Sequence, residues 1–271
     1  MSIRPLFTPS YIEKQQHDSH WFLGHVDNIR NNISRFHHET PDVSVIIPAY
    51  NEEESILRTL SSVSETITTL KVEILVVNNN STDRTQELLD NCGVRNIMET
   101  KKGVKHARNS GLNAAKGRII MNADGDSVYS PYWVELLCRP LIEDETIACS
   151  FGRFAFLPDQ SSPRFPYFLY ETAGDIFKIM NQRDKDKAMY VYGCSSAYRK
   201  NQGIEVDGYE HPAGANEDGY LALKLSNKFG RLEKVTDNRS LVWTSNRRLM
   251  EQGGLWNAFT SRLGFLSKQN A

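Results

Sequence analysis

Short β-rich runs recur through the first half of the chain with helix-patterned stretches between them, and this alternation limits the fold more than any other feature. Val43 to Pro48 reads VSVIIP, dense in β-branched residues. Between Glu52 and Leu70, the residues Ile56, Leu57, Leu60, Val63 and Ile67 recur at helical spacing, and VEILVV from Val72 to Val77 is strand-like again. Together they make one βαβ unit. Ser81 and Thr82 stand where a helix cap belongs, Leu88, Leu89 and Cys92 form a short apolar face, and RNIMET from Arg95 predicts a third strand. Lys105 to Ala115 reads as another helix and Arg118 to Ala123 as a fourth strand. The expected class is therefore α/β, with a mostly parallel central sheet covered by helices on both faces. In such sheets ligands bind beyond the carboxyl ends of the strands. PAYNEE (48–53), NNNSTD (78–83) and Asp124-Gly125-Asp126 all fall there.

From about Ser127 the pattern is less regular. Tyr167 to Met180 and Glu217 to Phe229 read as helices, and Met189 to Tyr198 holds short strand-like pieces around Gly193. Loops near Asp159 to Pro166 and Gly208 to Gly214 separate them. The expected organisation is an arm over 1–40, a first half over 41–126, a second half of the same domain over 127–248 and a tail over 249–271. The arm carries five of the seven histidines. His17 and His20 could share a helix face, but no Cys or carboxylate cluster accompanies them, so the expectation is an amphipathic arm anchored by Trp21 and Phe22.

Composition excludes several classes. With 32 basic and 33 acidic residues the net charge is -1, which gives no general drive towards nucleic acid. The amino terminus, MSIRPLFTPSYIEKQQ, lacks a basic segment followed by an apolar stretch, and no run approaches the length of a membrane span. A cytoplasmic chain is expected, with peripheral membrane contact left open. Cys92, Cys138, Cys149 and Cys194 form no CxxC pair, so buried thiols are expected and neither a disulfide framework nor a zinc knuckle.

IIMNADGD (119–126) ends an apolar run in two carboxylates one residue apart. On an extended chain, residues i and i+2 share a side, so the two anions repel unless a cation lies between them. Taken with the other strand-end segments, this motif resembles those of the family 2 glycosyltransferases, which have the GT-A fold with a Rossmann-like sheet. The resemblance runs from about Val43 to about Arg248. It is carried by VSVIIPAYNEEESILRTLSSV, VVNNNSTDRT, GVKHARNSGLNAAKGRIIMNADGD and ANEDGYLALKL, in the family's order.

The resemblance implies a metal-dependent transfer of a sugar from a nucleotide diphosphate donor to a hydroxyl acceptor, most often with inversion. Asp124-Gly125-Asp126 matches the DxD motif, with Asp126 the direct ligand of Mg2+ or Mn2+ and Asp124 turned towards ribose beside it. Pro48, Ala49, Tyr50 and Glu52 match the nucleoside pocket, and Arg108 with Asn109 the pair near base or phosphates, one turn after Lys105. Asn78 stands where many relatives have an acid; its amide can donate or accept, so a looser choice of base is expected. Asp218 matches the general base and Glu217 its acceptor-side neighbour. Gly193 borders the donor sugar, and Arg247 and Arg248 match basic residues that cover the diphosphate. A processive synthase would show QxxRW and membrane helices, and neither is in the sequence. A sugar-phosphate nucleotidyltransferase would want a glycine- and arginine-containing loop where PAYNEE stands. A silent nucleotide-sugar binding protein would lack the DxD motif or the base.

Overall fold

The computed structural model describes residues 3–158, 163–180, 184–251 and 253–254. Three short helices open the chain, α1 (Ser10–Glu13), α2 (Ser19–Gly24) and α3 (Val26–Ile33). Then come β1 (Val43–Ala49), α4 (Ile56–Ser64), β2 (Val72–Asn78), α5 (Thr85–Cys92), β3 (Arg95–Met98), α6 (Val104–Ala114) and β4 (Ile119–Asn122). The second half holds β5 (Ser127–Val128), α7 (Trp133–Glu143), β6 (Ile147–Phe151), β7 (Phe154–Phe156), α8 (Arg164–Met180), β8 (Ser196–Arg199) and α9 (Lys200–Glu205). It closes with α10 (Glu217–Phe229), β9 (Arg231–Lys234), β10 (Val242–Thr244) and α11 (Arg247–Glu251).

Seven strands form the main sheet in the order β3-β2-β1-β4-β8-β6-β9. The first four are parallel, and β8 runs antiparallel to both β4 and β6. Val43, Val45, Ile46 and Ile47 of β1 have no exposure, as a strand covered on both faces requires. Each such side chain contributes about 1.5–3 kcal/mol of burial free energy. Chain order reverses beside β1: β2 and β3 lie to one side and β4 to the other. The crevice at the carboxyl ends of β1 and β4 is therefore the switch point where ligands of such sheets bind.

The second half departs most from the sequence reading. Residues 133–143 are helical although Pro140 lies inside them. Pro140 has no N–H to give the Leu136 carbonyl, so one helix hydrogen bond is missing there, and the Ser150 hydroxyl donates to the neighbouring Leu137 carbonyl at 2.5 Å. A small sheet, β5-β10-β7, packs Trp243 out of solvent. The amino-terminal segment braces this region. Arg4 pairs with Asp175 at 2.8 Å, while Arg164 donates two bonds to Glu171 and lies 5.0 Å from the Trp243 ring centroid. In the arm, Phe22 is buried as expected, but Trp21 is 38% exposed and stacks between His17 and His25. All four cysteines are buried and free. Among the described residues no helix is long and apolar enough to cross a membrane.

Gly117 shows how closely the start of β4 lies against β1. Its N–H donates to the Ser44 hydroxyl at 2.7 Å, and a Cβ there would lie 2.5 Å from the Ser44 nitrogen and 2.6 Å from the Val43 carbonyl carbon. Backbone cannot swing aside as a flexible side chain can. Gly117→Ala should therefore lower stability by about 2 kcal/mol or more, read as a shift in the urea midpoint at unchanged m-value.

Candidate active site

PAYNEE and NNNSTD are locked to each other. Asn51, at φ 53°, receives a bond from the Thr82 N–H on its Oδ1 (2.8 Å) and donates its own N–H to the Ser81 hydroxyl (3.0 Å). Glu52 N–H donates to Thr85 Oγ1 at 2.9 Å, and Glu53 exchanges bonds with Asp83 and the Arg84 N–H. Side chains of each loop thus satisfy the backbone of the other, so two strand-end loops behave as one wall.

That wall lines a cleft of about 400 Å³ with Pro48, Ala49, Tyr50, Glu52 and Asn79 on one side and Asp124, Gly125 and Asp126 on the other. Lys102, Gly103, Val104 and Ala107 add the amino end of α6, and Arg247 the carboxyl-terminal side. Asn78 does not line it. Its side chain is fully buried, accepting from the Ser81 N–H at 3.0 Å and donating to Gln86 at 2.7 Å, so the two-way hydrogen bonding expected of it is spent inside the protein. Asn79 lines the cleft instead. Its amide nitrogen donates to the carbonyls of Glu99 and Lys101, and its Oδ1 accepts from the Gly103 N–H at 2.8 Å. These bonds fix the amide's sense and set the start of α6.

Gly111 lets α6 lie directly on Ile46 and Val77. Arg108, one turn earlier on the same face, is thereby driven beneath the strand ends and is 1% exposed. Its Nη2 donates to Asp124 at 2.8 Å, and its Nε lies 3.3 Å from Asp218 Oδ1. Asp218 sits in the first turn of α10, which Asn216 caps by accepting from the Gly219 N–H at 2.8 Å. Beneath them runs a buried polar chain that the sequence reading missed. Ser196 accepts from Asn122, Asn122 accepts from the Tyr209 hydroxyl at 2.6 Å, and Tyr209 bonds Tyr198 at 2.9 Å. An asparagine closing the apolar run IIMN was the one visible signal.

Burial pushes the Asp218 carboxyl up to about 6 even though Arg108 pulls the other way. Burial likewise opposes the charge on Arg108, but the carboxylates of Asp218 and Asp124 more than offset it and hold the guanidinium protonated. The Gly193 N–H donates to Asp218. A Cβ on Gly193 would collide with both Arg108 and Asp218, so glycine is required there. Asp218 Oδ1 accepts no hydrogen bond among the described residues. Neither Arg108, Asp218, Gly193 nor Glu217 lines the cleft; they join it through Asp124. Asn109 and Lys105 both bond Glu210, which assigns them to bracing the 207–210 loop.

Among the described residues no arginine or lysine bridges the two carboxylates of the acidic motif. Gly125 and Asp126 turn, and each acid finds its own arginine: Asp124 takes Arg108, while Asp126 accepts from Ser245 at 2.7 Å and lies 3.6 Å from Arg247. Arg247 also makes a two-bond contact to Glu52, at 2.6 and 3.1 Å. Arg58, mostly buried, adds a second cation near Asp126 and Glu52; burial lowers its pKa against the pull of both. The side chain of Arg248 and residues 255–271 lie outside the described residues. Asp124 and Asp126 offer hard oxygen donors at the cleft, with side chains 33% and 14% exposed. No cluster of three or more His, Cys, Asp or Glu able to hold a metal occurs among the described residues. The pair suits a cation of the Mg2+ class that completes its shell with phosphate and water oxygens, not one caged by protein alone.

The family model described as Glycosyl transferase family 2 matches residues 44–202, more than half of the chain. The chain belongs to glycosyl transferase family 2. Probable glycosyltransferase YdaM of Bacillus subtilis (strain 168) is 30% identical over 202 residues, covering 70% of this family 2 chain and 47% of the relative. The chain thus spans less than half the length of that relative. The solved mannosyltransferase PcManGT from Pyrobaculum calidifontis, in complex with GDP-Man and Mn2+, superposes with a TM-score of 0.59 at 19% identity, over 89% of this chain and 72% of that one. S. aureus TarS 1-349 in complex with UDP-GlcNAc gives 0.58 at 18% identity, over 75% and 58%. These likenesses show the GT-A fold.

Removing one partner of a buried ion pair leaves the other uncompensated. Arg108→Met should lower stability by about 3–5 kcal/mol. The deficit should be smaller at pH 5 than at pH 8, because unpaired Asp218, with its pKa raised further, is then accommodated in its neutral form. Urea unfolding at both pH values measures it.

Proposed function

We propose that this protein transfers a glycosyl group from a nucleoside diphosphate sugar to an acceptor hydroxyl, with Asp218 as general base and with inversion. The observation that carries the reading is the buried guanidinium of Arg108, which ties Asp124 at the cleft to Asp218 behind it. One rigid group thus sets the donor-side acid and the base at a fixed separation, as a displacement between two bound reactants needs. Asp218 Oδ1 accepts no hydrogen bond among the described residues and faces Arg108 Nε at 3.3 Å. As the acceptor's proton transfers, the acceptor oxygen bonds the anomeric carbon, the bond from that carbon to the phosphate oxygen breaks, and the nucleoside diphosphate departs.

Tyr50, 47% exposed with Lys102 6.0 Å from its ring centroid, offers a face for the base, and Asn79 an acceptor of fixed sense for a ring N–H. Fold neighbours hold GDP-Man in one case and UDP-GlcNAc in another. A divalent cation, Mg2+ or Mn2+, held by Asp126 with Asp124 beside it would neutralise charge on the departing diphosphate. Support comes from the donor set and from the Mn2+ in the complex of the neighbour PcManGT. Arg247 covers the same ground from the carboxyl-terminal side, and Glu217 borders the acceptor. The acceptor carries a hydroxyl, on a glycan, a lipid-linked molecule or a small molecule.

Asp218→Asn keeps the shape but cannot take the proton, so transfer should fall by at least about a hundredfold while donor affinity by calorimetry holds. Because only ionised Asp218 serves as base, the wild-type rate should fall on the acid side of about pH 6. Transfer by Asp218→Asn at near the wild-type rate would remove the assignment.

Binding of UDP or GDP should weaken at least about tenfold on chelation or in Asp126→Asn. Equal affinity in all conditions would count against a metal held by the acidic motif.

A further inference from the structure

A second cavity, of about 660 Å³ and so larger than the donor cleft, opens at the opposite end of the sheet. Asp42 and Ile119 line it at the amino ends of β1 and β4, whose carboxyl ends carry the donor loops. The length of β1, roughly 20 Å at about 3.3 Å per residue, separates the two. Among the described residues no aromatic side chain lines this cavity and its only carboxylate is Asp42, so they give it neither a face for a base nor an acidic pair for a cation. Part of its wall is apolar, where Ile142, 55% exposed, and Ile204, 48% exposed, line it with Leu70.

Its charge is predominantly positive. Lys116, Arg118, Arg199 and Lys200 line it against Asp42, on a chain whose net charge is -1. Arg199 donates to the carbonyls of Ile147 (2.7 Å) and Leu141 (2.6 Å), and Lys200 to that of Ala115 (2.5 Å). Those bonds hold both side chains in place and supply no full counter-charge. Arg118 pairs with Asp42 at 2.8 Å but is 83% exposed. Lys116 is exposed and makes no ion pair among the described residues. Two cations are therefore fixed in the wall, and two more are accessible at the mouth.

We infer that this cavity binds an amphiphilic anion, its phosphate or carboxylate head at Lys116 and Arg118 and its apolar body against Ile142 and Ile204. Charge at the rim selects the head, and the exposed isoleucines gain from covering by the body. The donor cleft at the other end of β1 stays free, so both ligands bind together.

Dodecyl phosphate, titrated below its micelle concentration into the full chain by calorimetry, is the probe, with inorganic phosphate and dodecanol testing head and body alone. Dodecyl phosphate should bind at least about tenfold tighter than either. Lys116→Glu and Arg118→Glu, both at exposed positions, should each weaken it about tenfold or more, as should Ile204→Asp, while UDP affinity stays unchanged. Co-sedimentation with phosphatidic-acid vesicles, lost in the same variants, would place the head in a bilayer; binding of the monomer alone would identify a free amphiphile. Equal affinity in wild type and both charge-reversed variants, or displacement of dodecyl phosphate by UDP, would overturn the inference.

Discussion

The structure turns on one buried cation. Arg108 is nearly inaccessible, and its charge would be prohibitive there without Asp124 on one side and Asp218 on the other. This guanidinium joins a helix of the first half to the acidic motif after β4 and to the first turn of α10. The two halves of the chain meet on it. Gly193 leaves room for the pair and donates its N–H to Asp218, and the Tyr209 ring lies 5.9 Å from the guanidinium carbon. Burial and pairing act against each other on Asp218, and burial wins by enough to bring its pKa to about 6. A carboxyl in that range is ionised near neutrality yet basic enough to accept a proton.

Around this centre the cleft is assembled by hydrogen bonds between loops. PAYNEE and NNNSTD exchange side-chain-to-backbone bonds, and Asn79 carries the wall on to the start of α6. The carboxyl-terminal side arrives through a longer chain of contacts. The amino-terminal segment holds α8, α8 packs on the small sheet through Arg164 and Trp243, and Tyr167 accepts from Asn246, next to Arg247. Arg247 then reaches Glu52 and Asp126. The arm, which the sequence reads only as an amphipathic segment anchored by Trp21 and Phe22, is thus connected to the acidic motif.

Much of the first half was legible because its signals are local. Strands β1, β2 and β4 and helix α6 lie within a residue or two of the runs that announce them, and α10 matches its pattern from Glu217 to Phe229. The misses have physical reasons. Pro140 hid α7, since a proline reads as a break when the structure around it is unknown. Strands β6, β9 and β10 are short, and their pairing is set by partners distant in the chain. Trp21 was expected to anchor the arm and is a stacking partner of histidines instead. Asn78 and Asn79 are neighbours of one type, and only the path of the chain leaving β2 decides which of them meets the cleft.

By itself the sequence determined the α/β class, the order of the parallel strands' motifs and the strand-end segments with Pro48–Glu52 and Asp124–Asp126, because apolar periodicity and strand-end polarity are properties of neighbouring residues; Arg108 and Asp218 became candidates through the family resemblance. Tertiary structure decided what each of these side chains touches. It gave Asp124 and Asp126 different arginine partners, and it buried Asp218 beside Arg108. It also gathered Lys116, Arg118, Arg199 and Lys200 at one cavity. Electrostatic compensation and burial depend on distances across the fold, and residue spacing along a chain does not encode those distances.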